Sequence, residues 1–325
     1  MMPFSFLSAG IGASLGLSLG ANDGGNLFGT AVATRVISFR FAALLAGIAI
    51  IAGAYFQGGD AIETIQQMTK APGNGPLIIV SSSCITIIIM TLLQLPVSTS
   101  QSLVGAIMGV TISMGIAPGE TEIIFDHLLK MIFCWILTPI GSGIIAMVCY
   151  YCVGAMLNNL PVSLLTRDKL IRSGLIAVGT YSAYAFGVNN TANVVGVFVD
   201  SYPNINPRLL AVLGASSIAL GIFLFGRGLM ETIGAGLIRL DGFTALVVVM
   251  GEAVTLHFFG VMGIPVSASQ AVVGGVLGIA LIRGPEAIDG KLLKNIFTGW
   301  LTTPLISFIL AAAGYSLLIG NNTTP

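Results

Sequence analysis

Long apolar runs follow one another along the whole chain, divided by short polar or glycine-rich breaks. The clear ones are Phe4–Leu19, Phe41–Phe56, Leu77–Leu95, Met131–Val153, Leu170–Phe186, Leu209–Phe225, Phe243–Phe259 and Phe297–Ile319. Runs of roughly 18–20 residues suffice for a helix to cross a hydrocarbon core, so the pattern predicts an all-α bundle of membrane helices. The breaks carry as much information as the runs. Gly20-Ala21-Asn22-Asp23-Gly24-Gly25-Asn26 follows the first run, and its mix of glycine and short polar side chains predicts a helix broken at membrane depth. Loose backbone is tolerated there only when it is buried in protein or lines a cavity. Asp23 would cost about 2.5–3.5 kcal/mol at the midplane on insertion scales, and therefore calls for a cation beside it.

The chain states its pattern twice. Residues 95–110 read LPVSTSQSLVGAIMGV and residues 264–279 read IPVSASQAVVGGVLGI. The spacing Asn22-Asp23-x-x-Asn26 recurs as Asn189-Asn190-x-x-Asn193, Gly58 with Ile62-Glu63-Thr64-Ile65 as Gly226 with Met230-Glu231-Thr232-Ile233, and Trp135-x-x-Thr138-Pro139 as Trp300-x-x-Thr303-Pro304. Each landmark returns 165 to 169 positions later, in the same order. Duplicated halves in so apolar a chain are the mark of a secondary transporter with one midplane site between related bundles. The expected division is a first membrane repeat over residues 1–157, a linker over 158–172 and a second repeat over 173–325.

The two Pro-Val-Ser segments predict helix starts. Proline suits the first turn, and Ser98, Thr99 and Ser100, or Ser267 and Ser269, can cap free N–H groups. The apolar helices that follow, Leu103–Ile112 and Ala271–Ile282, are only about half a bilayer long, which is the form of a hairpin dipping into the membrane. Helix N-termini offer free N–H groups and the positive end of the dipole, so two of them meeting at one spot would hold an oxyanion without Arg or Lys.

Composition agrees with a membrane location. The chain is 55% hydrophobic and 8% charged, with mean hydropathy +0.97, against roughly 25% charged in soluble domains. Net charge is zero, with 13 basic and 13 acidic residues, so no basic face points to nucleic acid. Cys84, Cys134, Cys149 and Cys152 lie in apolar runs and are expected to act as small hydrophobes. No second pair or His cluster completes a zinc site around Cys149 and Cys152. The first run lacks a basic flank or a cleavage site and is expected to be a retained span. Arg167, Lys169 and Arg172, with Arg35 and Arg40, place the linker in the cytoplasm by the positive-inside bias. If each half crosses an odd number of times, the second is inverted and both termini are external.

With these residues in view, the chain resembles the inorganic phosphate transporter (PiT) family. GANDGGNLFGTAVATRVIS is similar to the family's Gly-Ala-Asn-Asp-x-x-Asn signature, and FGVNNTANVVGVF to its second copy. PVSTSQ and PVSASQ resemble the family's Pro-Val-Ser-Thr-Thr-His segments, and GRGLMETIG its Gly-x-x-Val-x-Glu-Thr-x-Gly element. The resemblance covers residues from about 16 to 310. It implies an inverted-repeat symporter importing inorganic phosphate with Na⁺ or H⁺ across the cell (inner) membrane, as a homodimer in lipid. Carried over by position, Ser98, Thr99, Ser100, Gln101, Ser267, Ser269, Gln270, Asn26 and Asn193 would serve the oxyanion, and Asn22, Asp23, Asn189 and Asn190 would serve Na⁺. Two departures stand out. Asn190 replaces the Asp of many members, and Gln101 and Gln270 replace the His. Shorter relatives with an Asn-Asn second block resemble sulfate permeases, so "tetrahedral oxyanion" is fixed more firmly than "phosphate".

Three further acids are candidates for coupling or gating. Glu252 lies inside an apolar run with His257 one turn on, while Glu63 and Glu231 recur at matching positions near span ends. Other classes fit less well. An anion channel could use head-to-head helix ends but has no need of Asp23 in the same site. An intramembrane enzyme lacks a Ser/His, His/Glu or two-Asp constellation on paired spans, so the chain is not expected to be an enzyme.

Overall fold

Eleven α-helices account for nearly all of residues 6–69, 71–93, 97–115, 120–233, 241–284 and 290–319, the residues described by this computed structural model, and no strand occurs among them. The first half contributes α1 (Phe6–Ala33), α2 (Phe39–Gln57), α3 (Gly59–Met68), α4 (Gly75–Leu92), α5 (Thr99–Met114) and α6 (Glu120–Asn159). The second contributes α7 (Leu164–Val195), α8 (Pro207–Ile233), α9 (Gly242–Val261), α10 (Ala268–Arg283) and α11 (Gly290–Leu318). Among the described residues, six helices are long and apolar enough to cross a membrane, in α2, α4, α6, α8, α9 and α11. α1 and α7 are also long enough, at 28 and 32 residues, but their Asn blocks and α7's charged start lower their hydropathy. The chain is a multi-pass membrane protein.

The halves interleave. α1 lies along α8 and α2 along α7, while the α4–α5 hairpin packs on α11 and the α9–α10 hairpin on α6. Each contact joins elements of opposite halves, and exchanging the halves turns each pair into the other. Large apolar side chains are left exposed on α6 and α11, such as Ile136, Ile140, Leu301 and Leu305. The polar side chains sit inside, the reverse of a soluble protein.

Glycines set how closely the pairs approach. A Cβ on Gly20 of α1 would lie 2.1 Å from the Ile218 carbonyl of α8, and one on Gly187 of α7 would lie 2.1 Å from the Ile50 carbonyl of α2. Small residues at such crossings give the van der Waals contact that drives helix association in lipid. The hairpins repeat the device, since a Cβ on Gly105 would lie 2.2 Å from the Pro304 carbonyl and one on Gly274 would lie 2.1 Å from the Pro139 carbonyl.

This corrects the expected break at Gly20–Asn26. α1 runs without interruption through that block, and α7 runs through Asn189–Asn193. The glycines serve the α1–α8 contact rather than unwinding the helix, and packing outweighs their low helix propensity. The interruptions fall elsewhere, between α4 and α5 and between α9 and α10. The linker is shorter than expected as well. Ser163 caps α7 by accepting from the Thr166 N–H at 3.2 Å, and Asp168 pairs with Arg172 at 2.6 Å one turn on. Residues 164–172 are therefore the first turns of α7. The hairpin arms α5 and α10 are longer than expected, at 16 residues each, or about 24 Å at 1.5 Å per residue, just short of a full crossing.

Candidate functional site

Both Pro-Val-Ser segments become helix starts, as their sequence predicts. Ser98 is the N-cap of α5, with its hydroxyl 3.4 Å from the Gln101 N–H, and Ser267 is the N-cap of α10, 3.3 Å from the Gln270 N–H. One cap satisfies one N–H, and the other N–H groups of a first turn have no partner within the helix. The two starts abut. Ser100 Oγ donates to the Val266 carbonyl at 3.1 Å, and Ser269 Oγ donates to the Val97 carbonyl at 3.5 Å. Two helix N-termini therefore meet inside the protein, where Ser98, Thr99, Ser100 and Ser267 are buried and Ser269 is half-buried.

The second Asn block, on α7, holds this junction. Asn193 Nδ2 donates to Ser100 Oγ at 2.9 Å and to Asn190 Oδ1 at 3.3 Å. Asn189 does something the sequence did not reveal. Its Oδ1 accepts from the Val266 N–H at 3.0 Å, and its Nδ2 donates to the Leu256 and Ile264 carbonyls at 3.3 and 3.4 Å. Asn189, expected among the Na⁺ ligands, clamps the turn between α9 and α10. Asn190 Nδ2, Asn193 Oδ1 and the Thr191 hydroxyl are buried and have no hydrogen-bond partner among the described residues. Unsatisfied polar atoms at such depth are costly, and Asn193 with its partner Asn190 carries two of them to the helix starts.

The first Asn block supplies the charge. Asp23 on α1 is 4% exposed, and Asn22 Nδ2 donates to its Oδ1 at 3.2 Å. Thr99, the first residue of α5, lies against the same carboxyl. No Lys or Arg pairs with Asp23 among the described residues. Asn26, one turn on, is half-buried. The counterparts of Asp23 and Thr99 in the other half are Asn190 and Ala268, so the carboxylate stands on one side of the junction only.

Other predicted residues lie elsewhere. Gln101 and Gln270 line a groove of about 770 Å³ between α6 and α11, with Trp135, Trp300, Pro139 and Pro304. Their position follows from helix geometry, since each glutamine is about 100° around its helix from Ser100 or Ser269. Both Oε1 atoms are buried and without a partner among the described residues. Glu63 is exposed on α3 and accepts from Gln67 at 3.0 Å. Glu231 is in α8, but its side chain lies outside the described residues. Glu252 is fully buried in α9, where Ser182 of α7 donates to it at 3.3 Å. The contacts of Val97, Val266, Asn189 and Ser182 carry no sequence signal, because they depend on how distant helices are set against each other.

Comparison with known proteins agrees with this architecture. The chain is 27% identical over 282 residues to "Putative phosphate permease" of Methanocaldococcus jannaschii, covering 87% of each chain. It is 24% identical over 295 residues to "Sulfate permease CysP" of Bacillus subtilis, covering 86% of this chain and 80% of that one. A solved structure described as "The sodium-dependent phosphate transporter" superposes with a TM-score of 0.81 at 24% identity, covering 96% of this chain and 98% of that chain. Residues 19–311 match the profile of the family described as "Phosphate transporter family". The two Asn blocks and the two capped hairpins all fall within that stretch, and the chain belongs to the phosphate transporter family.

Proposed function

We propose that this protein is a secondary active symporter that imports inorganic phosphate with Na⁺ through a site at the junction of the two hairpins. The observation that carries the reading is the meeting of the α5 and α10 N-termini beside Asp23. Free N–H groups, the Ser98, Thr99, Ser100, Ser267 and Ser269 hydroxyls and the Asn193 amide suit the oxygens of a tetrahedral oxyanion. Asp23, with Asn22 and Asn26 of the same helix and Asn190 of α7, suits a small cation bound through oxygen. A cation at Asp23 offsets the carboxylate's burial and lowers the repulsion an arriving anion meets, which couples the two. That coupling favours symport over an anion channel, for which a buried carboxylate at the anion's site is a hindrance.

The exchange symmetry of the packing supports inverted repeats, with residues 1–157 and 173–325 rocking against each other to expose the site to each side in turn. The linker is then cytoplasmic and both termini are external in the cell membrane, with two copies forming a homodimer. Sulfate is the second reading, favoured by the Bacillus subtilis relative. Calorimetry on the purified protein decides between them. Phosphate should bind in Na⁺ and lose affinity when Na⁺ is replaced by choline. Binding of sulfate in preference to phosphate would select the other anion, and binding of either indifferent to Na⁺ would remove the coupling.

A further inference from the structure

The two hairpins are built alike except at one place. In the first, Ser83 of α4 donates to Ser102 of α5 at 3.0 Å, and the Ser102 hydroxyl lies 3.3 Å from that of Ser307 on α11. All three are 0% exposed, and the cluster is neutral. The corresponding positions of the second hairpin are Glu252 on α9, Ala271 on α10 and Ser142 on α6. An acid replaces a serine, and the hydroxyl between the other two is lost. Glu252 is 0% exposed. Its Oε2 accepts from Ser182 at 3.3 Å, while Oε1 has no partner among the described residues. The Ser142 hydroxyl and that of Thr255, one turn further along α9, are also buried and without a partner.

An ionised carboxylate so placed would be held by one neutral hydroxyl, which does not offset the loss of water. It must take up a positive charge. None of the three unsatisfied oxygens has accessible surface. A proton is the ligand that needs no cavity and no ring of oxygens around it. α1, which carries Asp23, packs against α9, which carries Glu252. α7 presents Ser182, α6 presents Ser142 and α10 presents Ala271, none of them ionisable. His257, on the same helix, is held at the exposed end by Tyr181 at 2.6 Å and Gln57 at 2.9 Å. Asp60 and Glu63 of α3 are exposed near Gly263, at the tip of the hairpin.

We propose that Glu252 is a proton-binding site within the second hairpin, separate from the hairpin junction, and that its proton is exchanged against the cation at Asp23. One proton adds to the carboxylate and no other bond changes. With Glu252 neutral, the field at Asp23 is less negative and a cation binds there more weakly. By linkage, a cation at Asp23 lowers the repulsion between the two acids and so favours release of the Glu252 proton, and the cation and the proton disfavour one another. The protonation itself does not depend on which anion is carried, whereas the exchange rests on the cation site proposed above.

Infrared difference spectroscopy of the full chain in lipid vesicles tests it. At neutral pH, without Na⁺, the wild type should show the carbonyl band of a protonated carboxyl group, shifted in D₂O and lost in Glu252→Gln. The band should survive in Asp23→Asn, which separates the two acids. Adding Na⁺ to the wild type should weaken the band, with proton release recorded by a pH-sensitive dye. If no band is lost on Glu252→Gln, Glu252 is ionised and the proposal is overturned. If the band is present but Na⁺ leaves it unchanged, the exchange is overturned. Should Glu252→Gln fail to insert, Ser182→Ala must shift the band, and an unshifted band assigns it to another group. A band that behaves as expected in a protein that moves no anion would uphold the proton site and overturn the symport reading alone.

Discussion

Ser100 and Ser269 make the same contact from opposite halves of the chain. Ser100 donates to the Val266 carbonyl at 3.1 Å, and Ser269 donates to the Val97 carbonyl at 3.5 Å. Each hairpin is thus tied to the residue that precedes the other's cap. The reciprocity places two helix N-termini at one spot, which neither half could do alone. It also makes the anion site sensitive to any movement of one hairpin against the other.

Ser100→Ala together with Ser269→Ala removes both ties and leaves an Asn193 N–H with one partner fewer. Buried polar groups left unpaired cost about 1–3 kcal/mol. Phosphate binding should weaken on that scale by calorimetry, with the fold retained. Unchanged affinity would show that the caps Ser98 and Ser267 suffice to set the junction.

Asp23→Asn keeps the shape of the side chain and removes its charge. The Na⁺ concentration for half-maximal uptake should rise by about tenfold or more, equivalent to roughly 1.4 kcal/mol. Wild-type Na⁺ dependence in this variant would assign the cation to another group.

Gly20→Ala tests the packing account of the first Asn block. Its Cβ would lie 2.1 Å from the Ile218 carbonyl, whereas nothing lies within 4 Å of a Cβ at Gly10 on the same helix. Overpacking of this kind costs about 1–3 kcal/mol. Thermal unfolding in detergent should show Gly20→Ala clearly less stable than the wild type and Gly10→Ala close to it. Equal stability of the two would mean that α1 and α8 are not held in this contact.

Topology can be read by cysteine labelling in a background lacking Cys84, Cys134, Cys149 and Cys152. A probe at Lys169, exposed on the first turns of α7, should react only from the cytoplasmic side, and probes at Ser5 and Asn322 only from outside. Labelling of Ser5 and Asn322 from opposite faces would make the repeats parallel and exclude a single shared site.

Much of this was legible in the sequence, because hydropathy and caps are local. The apolar runs, the repeated landmarks and the Ser98 and Ser267 helix starts required nothing beyond neighbouring residues. Gly20 shows where such reading fails. The same glycine that weakens an isolated helix allows α1 to approach α8, and only the partner helix decides which effect wins. Asn189 shows the same limit, since its amide is directed by Val266, Leu256 and Ile264, all more than 60 positions away. The family resemblance puts Gln101 and Gln270 with the serines, whereas the turn of each helix brings them to line the groove between α6 and α11.

The most direct test of the symport reading is uptake of labelled phosphate into proteoliposomes of the purified protein. Under an inward Na⁺ gradient, internal phosphate should rise above the external concentration, collapse when the gradient is dissipated, and be competed by arsenate more strongly than by sulfate. Phosphate that equilibrates across the bilayer at the same rate with and without the gradient, and never exceeds the outside concentration, would contradict the account and mark the protein as a channel.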